Sequence, residues 1–178
     1  MLFRKDFNLM VTYEYGLQNY RYVIGILGRF IGDMVVVEVG SSVVLIRTKD
    51  PYEAVEKLRG VSDKLGVIYR VIPVDRVLEP YVEIIRDAAA ELSDQRIPVD
   101  KTFKVVLNGR LYWRDTRLPA HSRDAILAIA EKISRKVSLT NPDYVVYVRS
   151  VKFRHMRRLA TLTVTEAKNI LSLKSGKP

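Results

Sequence analysis

The side chains best equipped for chemistry in this sequence are cations, and their spacing suits holding a polyanion rather than breaking a bond. Arg110, Arg114, Arg117 and Arg123 flank Tyr112 and Trp113, and Lys132, Arg135 and Lys136 follow them. Lys104 and Arg149 stand inside β-patterned runs, where lysine is usually disfavoured. Lys152, Arg154, Arg157 and Arg158 make a last cluster. Such residues gain affinity for phosphates by displacing counterions, and interleaved aromatic rings can stack on an unpaired base. The Tyr112 and Trp113 rings have a second possible use, covering a sheet edge. Placement strengthens the polyanion reading. Residues 100–178 hold 17 Lys/Arg against 6 Asp/Glu, whereas residues 1–99 hold 13 against 14, so the net charge of +10 belongs to the second half.

Covalent chemistry has few footholds. The absence of cysteine rules out a disulfide framework, a thiol nucleophile, a Cys-ligated zinc and an iron–sulfur site. His121, Ser122 and Asp124 are neighbours in sequence, and Ser and Asp there suit the start of a helix better than a triad. His155, beside Arg154, reads as part of the anion surface. No catalytic residue, metal ligand or cofactor is therefore assigned. Gly25, Gly28 and Gly32 fall in or just after an amphipathic helix pattern, not in a phosphate-cradling loop. The enzymatic alternative would need carboxylates such as Asp75, Glu79 or Asp100 in a site between two domains. No apolar run reaches the ~18 residues of a membrane span. Met1 to Asp6 meets charge at once. A soluble, cytoplasmic protein without a membrane partner is expected.

The elements that must carry these groups can be read from periodicity. Residues 7–13 pattern as a strand and 17–30 as a helix; 33–39 and 43–47 form a hairpin around Gly40-Ser41-Ser42. Asp50 caps a helix with Pro51 in its first position, running to about Leu65, and 67–71 is a strand. The order β-α-β-β-α-β is that of a ferredoxin-like unit, assigned to residues 1–75. Its third strand, Ser42 to Arg47, carries no aromatic, so it is not an RNA-recognition motif. Residues 76–178 form the second domain. A helix is expected over 78–92, a strand over 101–107, and a turn at Asn108-Gly109 with a returning strand or exposed loop over 110–113. A helix follows from about Ser122 to Val137, with Ile126, Ala130, Ile133 and Val137 facing inward. Strands over 144–151 and 159–164 precede a short helix at 166–173 and a tail.

Within the second domain, Lys101-Thr102-Phe103-Lys104-Val105-Val106 is a cation-bearing strand. The helix from Ser122 leads into Leu139-Thr140-Asn141-Pro142-Asp143-Tyr144-Val145-Val146-Tyr147-Val148. This pairing, over about residues 76–165, resembles the core of a THUMP domain, an RNA-binding module of tRNA-modifying proteins. The neutral unit before it resembles the ferredoxin-like domain that precedes THUMP domains. Pro142 can neither continue a helix nor donate to a ladder, and Asn141 and Asp143 can bond nearby backbone groups in the turn. The fold expected is thus α+β, a ferredoxin-like domain followed by a THUMP-type α/β domain.

The resemblance implies a tRNA-binding protein that grips the acceptor end. The Gly-rich loops of the family's thiouridine synthetases and methyltransferases are missing from this sequence. Domain order and length resemble the stand-alone THUMP cofactor of tRNA N4-acetylcytidine formation. That implies a non-catalytic adaptor whose partner is a separate tRNA-modifying enzyme such as an acetyltransferase. A general basic RNA-binding protein is the further alternative.

Overall fold

Apolar, β-branched runs in the first half produce an antiparallel sheet with two helices on one face. The computed structural model describes residues 7–152 and 157–173. It divides into one unit of Met1–Val74 with Lys168–Pro178, and a second of Asp75–Ala167.

In the first unit, β1 (Leu9–Tyr13) is followed by α1 (Leu17–Ile31), β2 (Met34–Val39), β3 (Val43–Thr48), α2 (Pro51–Arg59) and β4 (Ile68–Pro73). The strands lie in the order β4-β1-β3-β2, all antiparallel, which is the ferredoxin-like arrangement. Leu9, Val11, Tyr13, Val44 and Ile46 meet Val23, Leu27 and Ile31 of α1 and Ala54, Val55 and Leu58 of α2 in one core. Asp50 caps α2 as its position predicts. Its carboxylate accepts the N–H groups of Tyr52 (3.0 Å) and Glu53 (3.1 Å), an arrangement that contributes about 1 kcal/mol. The helix stops at Gly60, short of Leu65, and a 3-10 turn over Ser62–Lys64 completes the connection.

The second unit comprises β5 (Arg76–Leu78), α3 (Val82–Arg96), β6 (Thr102–Asn108), α4 (Ser122–Glu131), β7 (Lys136–Val137), β8 (Tyr144–Lys152) and β9 (Arg158–Glu166). Its sheet has the order β5-β9-β8-β6-β7, with β6 parallel to both neighbours. Helices α3 and α4 cover one face. Val82, Ile85, Ala89, Leu92, Ala125 and Ile129 pack there on Phe103, Val105, Val146, Val148, Ala160, Leu162 and Val164.

Four local expectations are corrected. Asn108-Gly109 does not turn a hairpin, because β6 takes parallel partners on both sides instead. The helix expected from Leu78 begins at Val82, since Pro80 biases the residue before it away from helical geometry. The helix expected to reach Val137 ends at Glu131. Ile133 then drops into the core, and the chain rises at the sheet edge as β7, leaving Val137 47% exposed. Finally, 166–173 is not a helix. Ala167–Asn169 is a 3-10 turn, and β10 (Leu171–Ser172) pairs antiparallel with β4, so this segment joins the first unit's sheet and buries Leu171 in its core.

Candidate nucleic-acid interface

Two strand ends bring separate chain segments of the second unit to one place. β6 ends at Asn108, opposite Arg149 on β8. Gly109 follows with φ +86°, and a Cβ on it would stand 2.6 Å from the carbonyl oxygen of Ser150. Only glycine tolerates both the backbone angle and that approach. The chain then fastens to the start of α3. Tyr112 donates its N–H to the carbonyl of Pro80 (2.9 Å), and Val82 donates to that of Tyr112 (2.9 Å). Arg114 N–H donates to the Glu83 carboxylate at 3.0 Å. Ala120 N–H donates to the Leu111 carbonyl (2.9 Å), which returns residues 120–122 alongside Gly109 and Arg110.

The result is an open groove of about 530 Å³ lined by Gly109, Arg110, Ala120, His121, Ser122 and Arg158. Among the described residues no carboxylate lines it. Arg110 is exposed and has no ion-pair partner among the described residues. Arg158 is half-buried and oriented by a 3.1 Å bond from Nη1 to Ser150 Oγ. The groove also receives the N-terminal end of α4, where His121 gives no side-chain cap. Uncapped first-turn N–H groups and the positive end of the helix dipole favour an anion there. Two guanidiniums, an imidazole and a helix N-terminus around one groove can hold phosphate oxygens.

The other predicted cations divide into three sets. Arg114, Arg117 and Arg123 are exposed on the loop and first turn of α4 that border the groove. Arg117 sits at φ 58°, with its guanidinium 5.8 Å from the centre of the Tyr81 ring. A second set is engaged within the unit. Lys132 pairs with Asp87 at 2.6 Å, and with Arg86 it holds that carboxyl below its ordinary pKa. Arg135 is not on a helix; its Nε donates to the Ile97 carbonyl at 2.8 Å, at the C-terminal end of α3. The third set lies apart. Strand parity places Lys104 and Arg149 on the sheet face opposite the helices, whereas Arg158 shares the helix face with Ala160 and Leu162. Lys104 and Arg149 are half-buried, and Arg149 Nη1 is buried without a hydrogen bond. They do not join the Arg110 loop in one surface. Lys136, Lys152 and Arg157 are exposed, while Arg154 and His155 lie outside the described residues.

Of the two uses open to the aromatic pair, Trp113 takes packing: its side chain lies against the core, while its backbone N–H donates to the Leu118 carbonyl at 2.9 Å. Asp75, a carboxylate the enzymatic alternative would need, is committed elsewhere. Its side chain is 4% exposed, pairs with Arg96 at 2.5 Å, and accepts the Val164 N–H at 2.8 Å. Asp143 reaches further than its own turn. Its carboxylate accepts the Thr102 N–H (2.9 Å) and hydroxyl (3.0 Å), which ties the starts of β6 and β8 together. Those bonds, the backbone one foremost, hold its pKa below the ordinary carboxylate value. Gly109, His121 and Ser122 belong to the groove, yet in sequence they signal only a turn and a helix start. Among the described residues no cluster of three or more His, Asp or Glu could hold a metal. No helix among them is long and apolar enough to cross a membrane.

No protein-family model and no curated protein sequence matches the chain. Solved structures do. PH1313 from Pyrococcus horikoshii Ot3 superposes with a TM-score of 0.60 at 14% identity, over 89% of this chain and 54% of that one. A 4-thiouridine synthetase, crystallised as an RNA complex with bound ATP, gives 0.51 at 14% identity, over 90% and 42%. TrmN from Thermus thermophilus gives 0.53 at 14% identity, over 88% and 44%. The chain spans about half the length of the structures it matches. At this identity the likeness is one of fold, and it supports the THUMP-type α+β arrangement that the sequence resembles.

Proposed function

We propose that the chain binds RNA and acts in tRNA modification, as a non-catalytic adaptor presenting the acceptor end of tRNA to a separate enzyme. The observation that carries this reading is the carboxylate-free groove where Arg110, His121 and Arg158 meet the start of α4. It supplies backbone N–H donors and cations together, the combination that backbone phosphates recruit. The fold likeness to a synthetase crystallised with RNA supports the same substrate class. The adaptor role gains support from Asp75, whose carboxylate is already engaged by Arg96 and the Val164 N–H within the second unit. The acetyltransferase that makes N4-acetylcytidine is the partner proposed, on the resemblance described above.

The test is a salt titration of tRNA binding with wild type and Arg110→Ala/Arg158→Ala. Losing two phosphate contacts should flatten the log–log salt slope by about 1.4–1.8. Between 50 and 200 mM salt that difference amounts to roughly tenfold in affinity. Removing the 3′ end of the tRNA should weaken wild type far more than the variant. In a second arm the protein is incubated with tRNA and acetyl-CoA. It should leave every nucleotide unchanged by mass spectrometry, and stimulate acetylation only when the acetyltransferase is added. An unchanged slope removes the groove from the RNA path, and turnover by the protein alone removes the adaptor.

A further inference from the structure

The first unit holds a second cation-lined groove, on the outward face of α1, although residues 1–99 carry 13 Lys/Arg against 14 Asp/Glu. It measures about 500 Å³ and is lined by Arg21, Tyr22, Gly25, Ile26, Arg29 and Lys64. Arg21, Gly25 and Arg29 are spaced four residues apart, which puts them on one side of α1, opposite the buried Val23, Leu27 and Ile31. The two arginines are separated by eight residues, or about 12 Å along the axis. α1 contains no acidic residue at all. Among the described residues, Arg21, Arg29 and Lys64 have no carboxylate partner. Arg29 and Lys64 both rest on the Phe30 ring, at 5.4 and 5.7 Å from its centre, which holds two cations together.

Gly25 has no internal explanation. It is exposed in the middle of a fifteen-residue helix, and a Cβ built on it meets nothing within 4 Å. No positive φ, turn or packed neighbour requires it, and glycine there is less favourable for the helix than alanine. What it does is keep the floor of the groove clear between the two arginines. That is the use of glycine where another molecule's backbone approaches closely. Tyr22 forms the wall. Its hydroxyl donates to the Lys64 carbonyl at 2.5 Å, and the residue is 45% exposed. Tyr15, just before the helix, is 75% exposed. Cations spaced along a cleared backbone, with aromatic rings at the margin, are the components of a single-stranded nucleic-acid groove.

We infer that the α1 face binds the phosphate backbone of the same RNA, giving the first unit a contact of its own. This rests on the RNA-binding reading and adds a second site to it. An acidic protein surface is the competing occupant. The cleared glycine and exposed tyrosines favour RNA, because a carboxylate-bearing partner needs neither.

The test uses the full chain and an unmodified tRNA transcript, read by fluorescence anisotropy across a salt series. Arg21→Ala/Arg29→Ala/Lys64→Ala should flatten the log–log slope by about 2.1–2.7, from three lost contacts. Gly25→Leu removes no charge, fills the groove, and should raise the thermal midpoint while weakening binding about tenfold. Better folding with poorer binding is an outcome that misfolding cannot imitate. Wild-type slope and affinity in both variants, alongside loss in Arg110→Ala/Arg158→Ala, would overturn this inference and leave the RNA reading standing. Unchanged RNA binding with lost stimulation of a partner enzyme would also overturn it, in favour of a protein on α1. No binding by wild type would remove both readings.

Discussion

Arg135 looks, in sequence, like one more cation of an RNA surface, and its geometry predicts the opposite behaviour. Its side chain is only 8% exposed. Nε donates to the Ile97 carbonyl at 2.8 Å, Nη1 to that of Ser134 at 2.9 Å, and Nη2 to that of Asp94 at 3.4 Å. The Asp94 carboxylate lies 3.6 Å from Nη2. Two of those three carbonyls belong to the last turn and end of α3, where unpaired acceptors and the negative end of the dipole favour a cation. A hydrogen bond from a charged donor contributes about 1.5–3 kcal/mol, and a buried acceptor left unsatisfied costs about 1–3 kcal/mol. Ser134 and Asp94 are exposed and water can reach them, so the Ile97 bond carries most of the effect. Arg135→Ala should therefore destabilise the second unit by about 3 kcal/mol, on the order of 15 °C in midpoint for a unit of this size. Arg135→Lys keeps the charge but not the planar fork, and should still lose about 2 kcal/mol.

The assay pairs thermal denaturation with a salt titration of RNA binding below every variant's transition. Arg135→Ala should shift the midpoint and leave the salt slope at the wild-type value. Arg110→Ala should do the reverse, flattening the slope by about 0.7–0.9 with little thermal effect. Both substitutions remove one positive charge, so diffuse attraction predicts equal losses of affinity. An unshifted midpoint for Arg135→Ala, or a flattened slope, would refute the assignment of Arg135 to α3.

Two further outcomes follow from the same unit. Gly109→Ala places a Cβ against Ser150 at a φ of +86°, and should destabilise by about 2 kcal/mol or more in urea titration while weakening RNA binding through the displaced Arg110. Asp143 has a folded pKa below its unfolded one, near 3.9 for a free aspartate, so its contribution is fully present above about pH 4 and lost as pH falls through the folded value. Asp143→Asn should flatten that acid limb of the stability curve and leave the neutral-to-alkaline limb unchanged.

The architecture was legible because it rests on short-range periodicity. The apolar run at Leu9–Tyr13, the alternation in Thr102–Asn108, the three-and-four spacing of α1, and the Asp50-Pro51 cap are all local signals, and each appears where its pattern places it. What escaped depends on partners distant in sequence. β10 is two residues long, shows no period, and exists because β4 offers it an edge about a hundred residues earlier in the chain. Asn108-Gly109 is a strong hairpin signal in isolation, overridden when β6 found a parallel partner in β8. Helix α4 ends early for a similar reason: Ile133 fills the core, and Arg135 then reaches the end of α3.

The candidate site shows the same division more sharply, because charge counts carry sign but no partner. The excess in residues 100–178 included Arg135 and Lys132, which hold α3 and Asp87. It also included Lys104 and Arg149, on the sheet face away from the groove. The balance in residues 1–99 concealed Arg21 and Arg29, which α1 places along one face while the unit's acids lie on other elements. A cation's role is decided by what stands within hydrogen-bond reach of it. Arg110 and Arg21 have no described carboxylate partner and face open grooves, so they remain available to a ligand. Arg135 has three carbonyls, and it is spent on the fold.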